Sequence, residues 1–166
     1  MLTLALLVLP VLVDDAPPAP AADMKPLAFL VGSWQGTGWA QTREGKADFT
    51  IREKVEPKLD GSVFLVEGIG KGTDGHIAHH ALAFFHYDKQ AKEFRIKAFR
   101  KDGGYVDARG EMKYGKFVWG FDSPQGGKVR FTIHQNGKGQ WNEIGEFSQD
   151  GKQWRQFLEM TLDKNK

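Results

Sequence analysis

Recurring pairs of turn-forming residues divide this chain into short segments and leave little choice of fold class. Each pair is Glu, Asp or Asn followed by glycine, and these residue types tolerate the positive φ of tight hairpin turns. The pairs begin at Glu44, Asp60, Asp74, Asp102, Asn136 and Asp150, and Pro124 with Gly126 and Gly127 marks one more turn. No segment keeps a helical apolar period over three turns, which excludes parallel sheets with crossover helices. The chain is therefore predicted to be all-β.

Ten segments of the chain have the length and composition of β-strands. They are residues 33–42, 46–55, 62–71, 77–87, 93–101, 105–114, 116–122, 128–135, 140–148 and 152–162. Because tight turns join sequence neighbours, we predict an antiparallel up-and-down meander of about ten strands, and closing it into a barrel removes both exposed edges. A short helical turn starting near Asp23, with Leu27, Phe29 and Leu30, is expected to plug one end.

Alternation along the strands assigns side chains to the interior or to the surface. Large apolar residues share one face of each of the last four segments, whereas the other face is mostly polar. The residues expected to line a central cavity are Trp34, Trp119, Phe131, Trp154 and Met160. Ten strands enclose more space than eight, so the interior is expected to leave room for a ligand.

Charged residues on apolar strand faces supply candidate polar anchors for such a ligand. Glu53, Glu67 and Arg100 each alternate with aliphatic or aromatic residues. A charge on an apolar face is costly unless it is paired, so Arg100 paired with one of the carboxylates inside the cavity would hold a polar head group. The alternative is that these residues lie at strand ends, where the same face reaches water.

A histidine cluster in the fourth segment raises the question of a metal site. His80 and His86 share a face, but residues six apart on a strand are separated by about 20 Å and cannot hold one ion together. We therefore predict no metal site. His80 is a further candidate for the cavity lining, and a surface histidine is the alternative.

The first 21 residues differ from the rest of the chain. Residues 2–13 form an apolar run that is too short to span a membrane but suits an export signal, and Ala19-Pro20-Ala21 offers a small-x-small cleavage pattern. No Lys or Arg precedes the run, which departs from a normal signal. We expect a signal peptide at 1–21, a single domain at 22–166, and a periplasmic or extracellular location.

Composition and missing motifs exclude several other functions. Lys and Arg number 23 against 21 Asp and Glu, so a net charge of +2 gives no electrostatic case for a nucleic-acid partner. The chain has no cysteine, which removes disulfides and thiolate chemistry. It also lacks a glycine-rich phosphate loop and a nucleophile elbow, so an enzyme is the less favoured interpretation.

Short motifs near the start resemble known barrel families. Gly32-Ser33-Trp34 after a short helix resembles the calycin signature of lipocalins and fatty-acid-binding proteins, and residues 30–38 are similar to the start of nitrobindin-type ten-stranded barrels. Leu59-Asp60-Gly61, and Tyr87-Asp88 at the end of the fourth strand, resemble a family of exported bacterial barrel proteins of unknown function. The resemblance covers about residues 27–163 and implies that Trp34 lies across the barrel floor.

The nitrobindin resemblance would also imply haem held by a histidine on a strand near the C-terminus. The last two predicted strands contain no histidine, and His134 has the parity of an outward residue. We therefore predict no cofactor, with haem binding as an alternative. The leading expectation is a protein that binds a small, mostly apolar or amphipathic molecule inside the barrel. The competing one is a filled barrel that serves as a structural or protein-interaction module.

Overall fold

The computed structural model describes residues 17–165, so residues 1–16 of the predicted signal peptide lie outside the described part of the chain. A 3-10 helix spans Ala22–Leu30 and is followed by ten strands. The strands are β1 Gly32–Thr42, β2 Gly45–Lys58, β3 Val63–Gly72, β4 Ile77–Asp88, β5 Glu93–Arg100, β6 Tyr105–Lys113, β7 Lys116–Asp122, β8 Lys128–Gln135, β9 Trp141–Ser148 and β10 Arg155–Lys164. Among the described residues, no helix is long and apolar enough to cross a membrane.

Each strand pairs in antiparallel fashion with its neighbours along the chain, and β1 pairs with β10 to close the barrel. The predicted fold class, a ten-stranded up-and-down barrel with a short N-terminal helix, is confirmed. β7 and β8 have the predicted bounds. The largest difference is at β10, which begins three residues later than predicted, at Arg155, and continues to Lys164.

The N-terminal helix covers one end of the barrel. Its residues Met24, Leu27 and Leu30 are buried in the core. Trp34 is also completely buried, and its indole N–H donates a 2.7 Å hydrogen bond to the carbonyl oxygen of Leu30. The Trp34 ring meets that of Trp141 edge to face, with centroids 5.8 Å apart. We call this the plugged end, and the opposite end the open end.

Two glycines allow the first and last strands to approach closely. A Cβ atom at Gly36 would lie 2.0 Å from the carbonyl oxygen of Thr161, and one at Gly38 would lie 2.4 Å from that of Glu159. No side chain fits at either distance, so glycine is required where β1 meets β10. The alternation of tryptophan and glycine in residues 34–39 therefore combines a packed barrel floor with a tight closing seam.

Candidate functional site

The interior of the barrel differs between its two ends. Inward-facing residues near the plugged end, such as Phe117 and Ile133, are buried almost completely. Their neighbours toward the open end on the same strands, Trp119 and Phe131, remain partly exposed although they also face inward. Because an inward-facing side chain is exposed only where water can enter, the open half of the barrel contains accessible space.

This space lies between two contrasting walls. On one side, β1, β3, β4 and β5 contribute many small inward-facing residues, whereas β2, which lies between β1 and β3, contributes the larger Phe49 and Ile51. The small residues are Gly36, Gly38, Ala40, Gly68, Gly70, Ala81, Ala83 and Ala98. On the other side, Trp119 stacks on Phe131 with ring centroids 4.3 Å apart, and Phe157 meets Phe131 edge to face at 5.7 Å. We call the space between the small-residue wall and these aromatic rings the open cavity.

A gap in the hydrogen-bonded wall leads toward this cavity. β6 and β7 pair only from Arg109 opposite Gly120 to Lys113 opposite Lys116, so the ladder stops before the open end. A cleft of about 1000 Å³ lies at this seam. Outward-facing Tyr105 lines it together with inward-facing Trp119 and other residues of both faces, so the cleft connects the outer surface with the interior.

Trp119 contributes an unusual polar atom to the cleft. Its indole nitrogen is buried and has no hydrogen-bond partner among the described residues. A buried N–H without an acceptor costs free energy comparable to a lost hydrogen bond. The Trp119 indole N–H is therefore an unsatisfied donor in the described structure.

Two glutamates face the interior between the plugged end and the open cavity. Glu53 on β2 and Glu143 on β9 are 9% and 7% exposed. Burial, together with the negative charge of Glu143, raises the pKa of Glu53 to about 8. Burial likewise raises the pKa of Glu143 to about 7, against the effect of a 3.2 Å hydrogen bond that its carboxylate accepts from the indole of Trp141. Near neutral pH, this pair holds at least one proton for much of the time.

Several predicted cavity residues do lie on the inner face. Trp119 and Phe131 form the aromatic wall, and Met160 packs between Gly38 and Glu143 in the sheet register. Trp34 lies at the plugged end, deeper than the open cavity. The interpretation of Trp34 as the barrel floor agrees with this placement, whereas direct contact with a ligand stays a prediction.

The placement of Glu67 inside the barrel is wrong. β3 turns Phe64, Val66 and Gly68 inward, so Glu67 lies on the outer surface. There its carboxylate is 3.0 Å from Nε2 of His80, and both side chains are nearly half exposed. The predicted inward position of His80 is also wrong. His80 pairs with outward-facing Ile69 and therefore lies on the outer face of β4.

The inward position predicted for Trp154 is also wrong. A β-bulge between Gln156 and Leu158 inserts an extra residue into β10 and reverses the alternation before it. Trp154 precedes the strand, and its ring lies 4.0 Å from the guanidinium of Arg130, an outward-facing residue paired with Glu146. The bulge instead directs Phe157 toward Phe131 inside the barrel.

Arg100 lies on the inward parity of β5 but at the rim of the open end. Its guanidinium binds Asp102 in the following turn through two hydrogen bonds of 2.9 and 3.2 Å, and its side chain is half exposed. The predicted pairing of Arg100 with an interior carboxylate is therefore wrong. The alternative interpretation applies to Arg100: it lies at the end of a strand, where the inward-facing side of the sheet reaches water.

Two important interior residues were missed in the sequence. Glu143 lies in the pattern Trp141, Glu143, Gly145, Phe147, where it occupies the inward parity between aromatic residues. That alternation would have identified it in the same way as Glu53. Phe157 has no comparable signal, because its inward position depends on the bulge.

The histidines offer no iron ligand like that expected of a nitrobindin. β9 and β10 contain no histidine, and His134 lies half-buried on the outward face of β8. On the inward faces of the described strands, the one histidine is His79, near the rim of β4. The described residues include no group of three or more side chains that could hold a metal ion. The interior does not fit haem held in this way.

Comparison with known proteins supports the fold alone. No family model matches the chain, and no curated protein matches it either. Among solved structures, the barrel is similar to the crystal structure of Rv2717c from M. tuberculosis, with a TM-score of 0.64. The two chains are 10% identical over 89% of this chain and 99% of that one. The likeness shows the fold, and at this identity it carries no functional assignment.

Proposed function

We propose that this protein binds a small, mostly apolar molecule in the open cavity. The observation that carries the proposal is the partial exposure of inward-facing apolar residues, among them Trp119, Phe131 and Ala98, in the open half of the barrel. A filled barrel would bury them as completely as Phe117 and Ile133 are buried nearer the plug. This contrast favours a binding protein over a structural barrel with a packed interior.

The chemistry of the walls supports the same conclusion. Ligand sites are concave, mostly apolar and supplied with a few polar groups that fix orientation. Here the stacked rings of Trp119 and Phe131 face small side chains, and the Trp119 indole N–H is a free donor within the described structure. The gap between β6 and β7 supplies an entrance from the side of the barrel. We propose that the ligand enters there or through the open end.

We expect a cavity-filling substitution to weaken binding of an apolar probe. Ala98 lies on the inward face of β5 and is partly exposed, so Ala98→Phe adds a ring inside the open cavity. Titration with N-phenyl-1-naphthylamine, whose emission rises in apolar surroundings, should give saturable binding to the unmodified protein. The affinity of Ala98→Phe should be at least about tenfold lower, as expected for the loss of a buried ring-sized contact.

Lys71→Phe is the matched control, because Lys71 is exposed and its neighbours Gly70 and Gly72 share the inward face. This variant should bind the probe like the unmodified protein. Circular dichroism and urea unfolding confirm that both variants fold, and Ala98→Leu gives a smaller substitution if Ala98→Phe does not. Unchanged binding by a folded Ala98→Phe, or no saturable binding to the unmodified protein, would contradict the proposed function.

A further inference from the structure

Among the described residues, the carboxyl group of Glu53 has no polar partner that explains its place inside the barrel. The carboxyl group of Glu53 lies over Gly68 on β3, where a Cβ atom would come within 2.5 Å of Oε1. The hydrogen bonds of the described residues include none to this carboxyl group, although the side chain is nine-tenths buried. Burying an acidic group without partners destabilises a fold, so its retention calls for another explanation.

Glu143 approaches the same region from β9. It accepts one hydrogen bond from the Trp141 indole, and a carboxylate has further lone pairs to offer. In the register, Glu143 lies opposite Met160, and Met160 lies opposite Gly38 on the small-residue wall. After burial, the negative charge of Glu143 is the second cause that raises the pKa of Glu53.

No protein cation neutralises this pair within the described structure. Inward-facing positions of the described strands carry three basic side chains besides His79, and all three lie at the ends of the barrel. Arg155 begins β10 at the open end, opposite Phe147, and is exposed. Arg100 is at the open rim and is already bound to Asp102. Lys164 is at the plugged end, with its ammonium 5.3 Å from the centre of the Trp34 ring. The carboxyl pair therefore lacks a counter-ion that a ligand is able to supply.

The path from Glu53 to the open cavity is free of large side chains along β3. The next inward-facing position toward the open end is Gly70, where an added Cβ atom would meet no atom closer than 3.3 Å. The nearest side-chain atoms of neighbouring strands at this position are Cβ of His79 and Cδ1 of Ile51, at 3.3 and 3.9 Å. In the proposed complex, the end of a ligand in the open cavity follows this strip of β3 past Ile51 to the Glu53 carboxyl group. The aromatic wall of Trp119 and Phe131 then contacts the rest of the molecule.

We infer that the ligand is an amphiphile with a basic nitrogen at one end, held by Glu53 and Glu143 while its apolar part lies against the aromatic wall. This inference rests on the proposed function and specifies its ligand class. An ammonium group donates three hydrogen bonds and carries the missing positive charge. On binding it, a protonated glutamic acid releases its proton to solvent and becomes the counter-ion. An acidic amphiphile such as a fatty acid would instead meet like charge.

We test this inference with three dodecyl compounds that differ only in the polar end. Isothermal titration calorimetry at pH 8 should show dodecylamine binding at least about tenfold more tightly than dodecanol, and laurate binding more weakly than either. In Glu53→Gln and Glu143→Gln the preference for the amine over the alcohol should fall at least threefold, whereas dodecanol affinity should change little. Glu67→Gln, which removes a carboxylate from the outer surface, should retain the full preference.

The possible outcomes distinguish a wrong ligand class from a wrong proposed function. Equal affinities for the amine and the alcohol, or an amine preference that survives both interior substitutions, would overturn the inference and leave the apolar cavity standing. Tightest binding of laurate would also overturn it. Failure of all three compounds to bind would reject the proposed function together with the ligand class.

Discussion

Replacing Glu53 by glutamine is expected to stabilise the barrel at neutral and alkaline pH. The carboxyl group has an ordinary pKa of 4.5 in the unfolded chain and about 8 in the folded barrel. Between these values the folded state holds a proton that the unfolded state releases, so this group lowers the free energy of unfolding as pH rises. Glutamine cannot ionise, so Glu53→Gln removes this decrease in the free energy of unfolding.

The size of this effect follows from the shift in pKa. One pKa unit corresponds to about 1.4 kcal/mol, so the stabilisation should reach on the order of a few kcal/mol. The difference between Glu53→Gln and the unmodified protein should be near zero at about pH 4.5, should grow as pH rises, and should level off above the folded pKa of about 8. Urea unfolding followed by circular dichroism at several pH values measures it.

Two further variants test whether the pH-dependent stabilisation is specific to the interior glutamates. Glu143→Gln should show the same trend with a smaller maximum, because the pKa of Glu143 is raised only to about 7. Glu67→Gln, which changes a carboxylate on the outer surface, should give only a small difference in stability. A pH-independent difference for Glu53→Gln would show that Glu53 is not buried as an acidic group, and the case for a cation-binding pair would fail with it.

Replacing Trp34 by alanine is expected to cost about 3–5 kcal/mol, the range for truncating a fully buried tryptophan. The ring packs edge to face on Trp141, and its N–H is bonded to the carbonyl oxygen of Leu30 in the N-terminal helix. Its removal leaves a void at the plugged end and an unpaired carbonyl group. The midpoint of urea unfolding should therefore fall steeply.

Trp39 offers a matched control five residues away. It lies half-buried on the outer face of β1, with the Lys46 ammonium 3.9 Å from its ring centre, an arrangement worth about 0.5–1 kcal/mol. Trp39→Ala should therefore cost much less than Trp34→Ala. If Trp34→Ala does not fold, Trp34→Phe should fold with an intermediate loss. Equal effects at the two tryptophans would contradict the assignment of Trp34 to the plugged core.

The fold was predictable because local turn chemistry and alternation agree along most of the chain. β7 and β8, for example, begin and end at the predicted residues, between glycine-containing turns. Alternation also identified Trp119 and Phe131 correctly as inward-facing, since the opposite faces of β7 and β8 are less apolar.

The inward face of β3 was not predictable in the same way. Both of its faces begin with large apolar residues, Val63 and Leu65 on one and Phe64 and Val66 on the other. The inner face then continues with glycine rather than a hydrophobic side chain, because the Glu53 carboxyl group occupies the space over Gly68. Only pairing with β2 decides between the two faces, and that pairing is a tertiary property.

The bulge in β10 likewise made the inward face of that strand unpredictable from the sequence. One extra residue between Gln156 and Leu158 exchanges the roles of Trp154 and Phe157, and nothing in the local residues marks it. The candidate site was therefore only partly predictable: its apolar wall follows from alternation, whereas its polar groups depend on how distant strands meet.

A crystal structure with 12-bromododecanol, located by the anomalous signal of bromine, tests the central claim most directly. The compound is neutral, so the result does not depend on the choice of basic ligands. We predict one dominant bromine site in the open half of the barrel, between the aromatic wall of Trp119 and Phe131 and the small-residue wall at Gly70 and Ala98. A bromine site on the outer face, for example at exposed Phe84 or Phe99, with none inside, would contradict it.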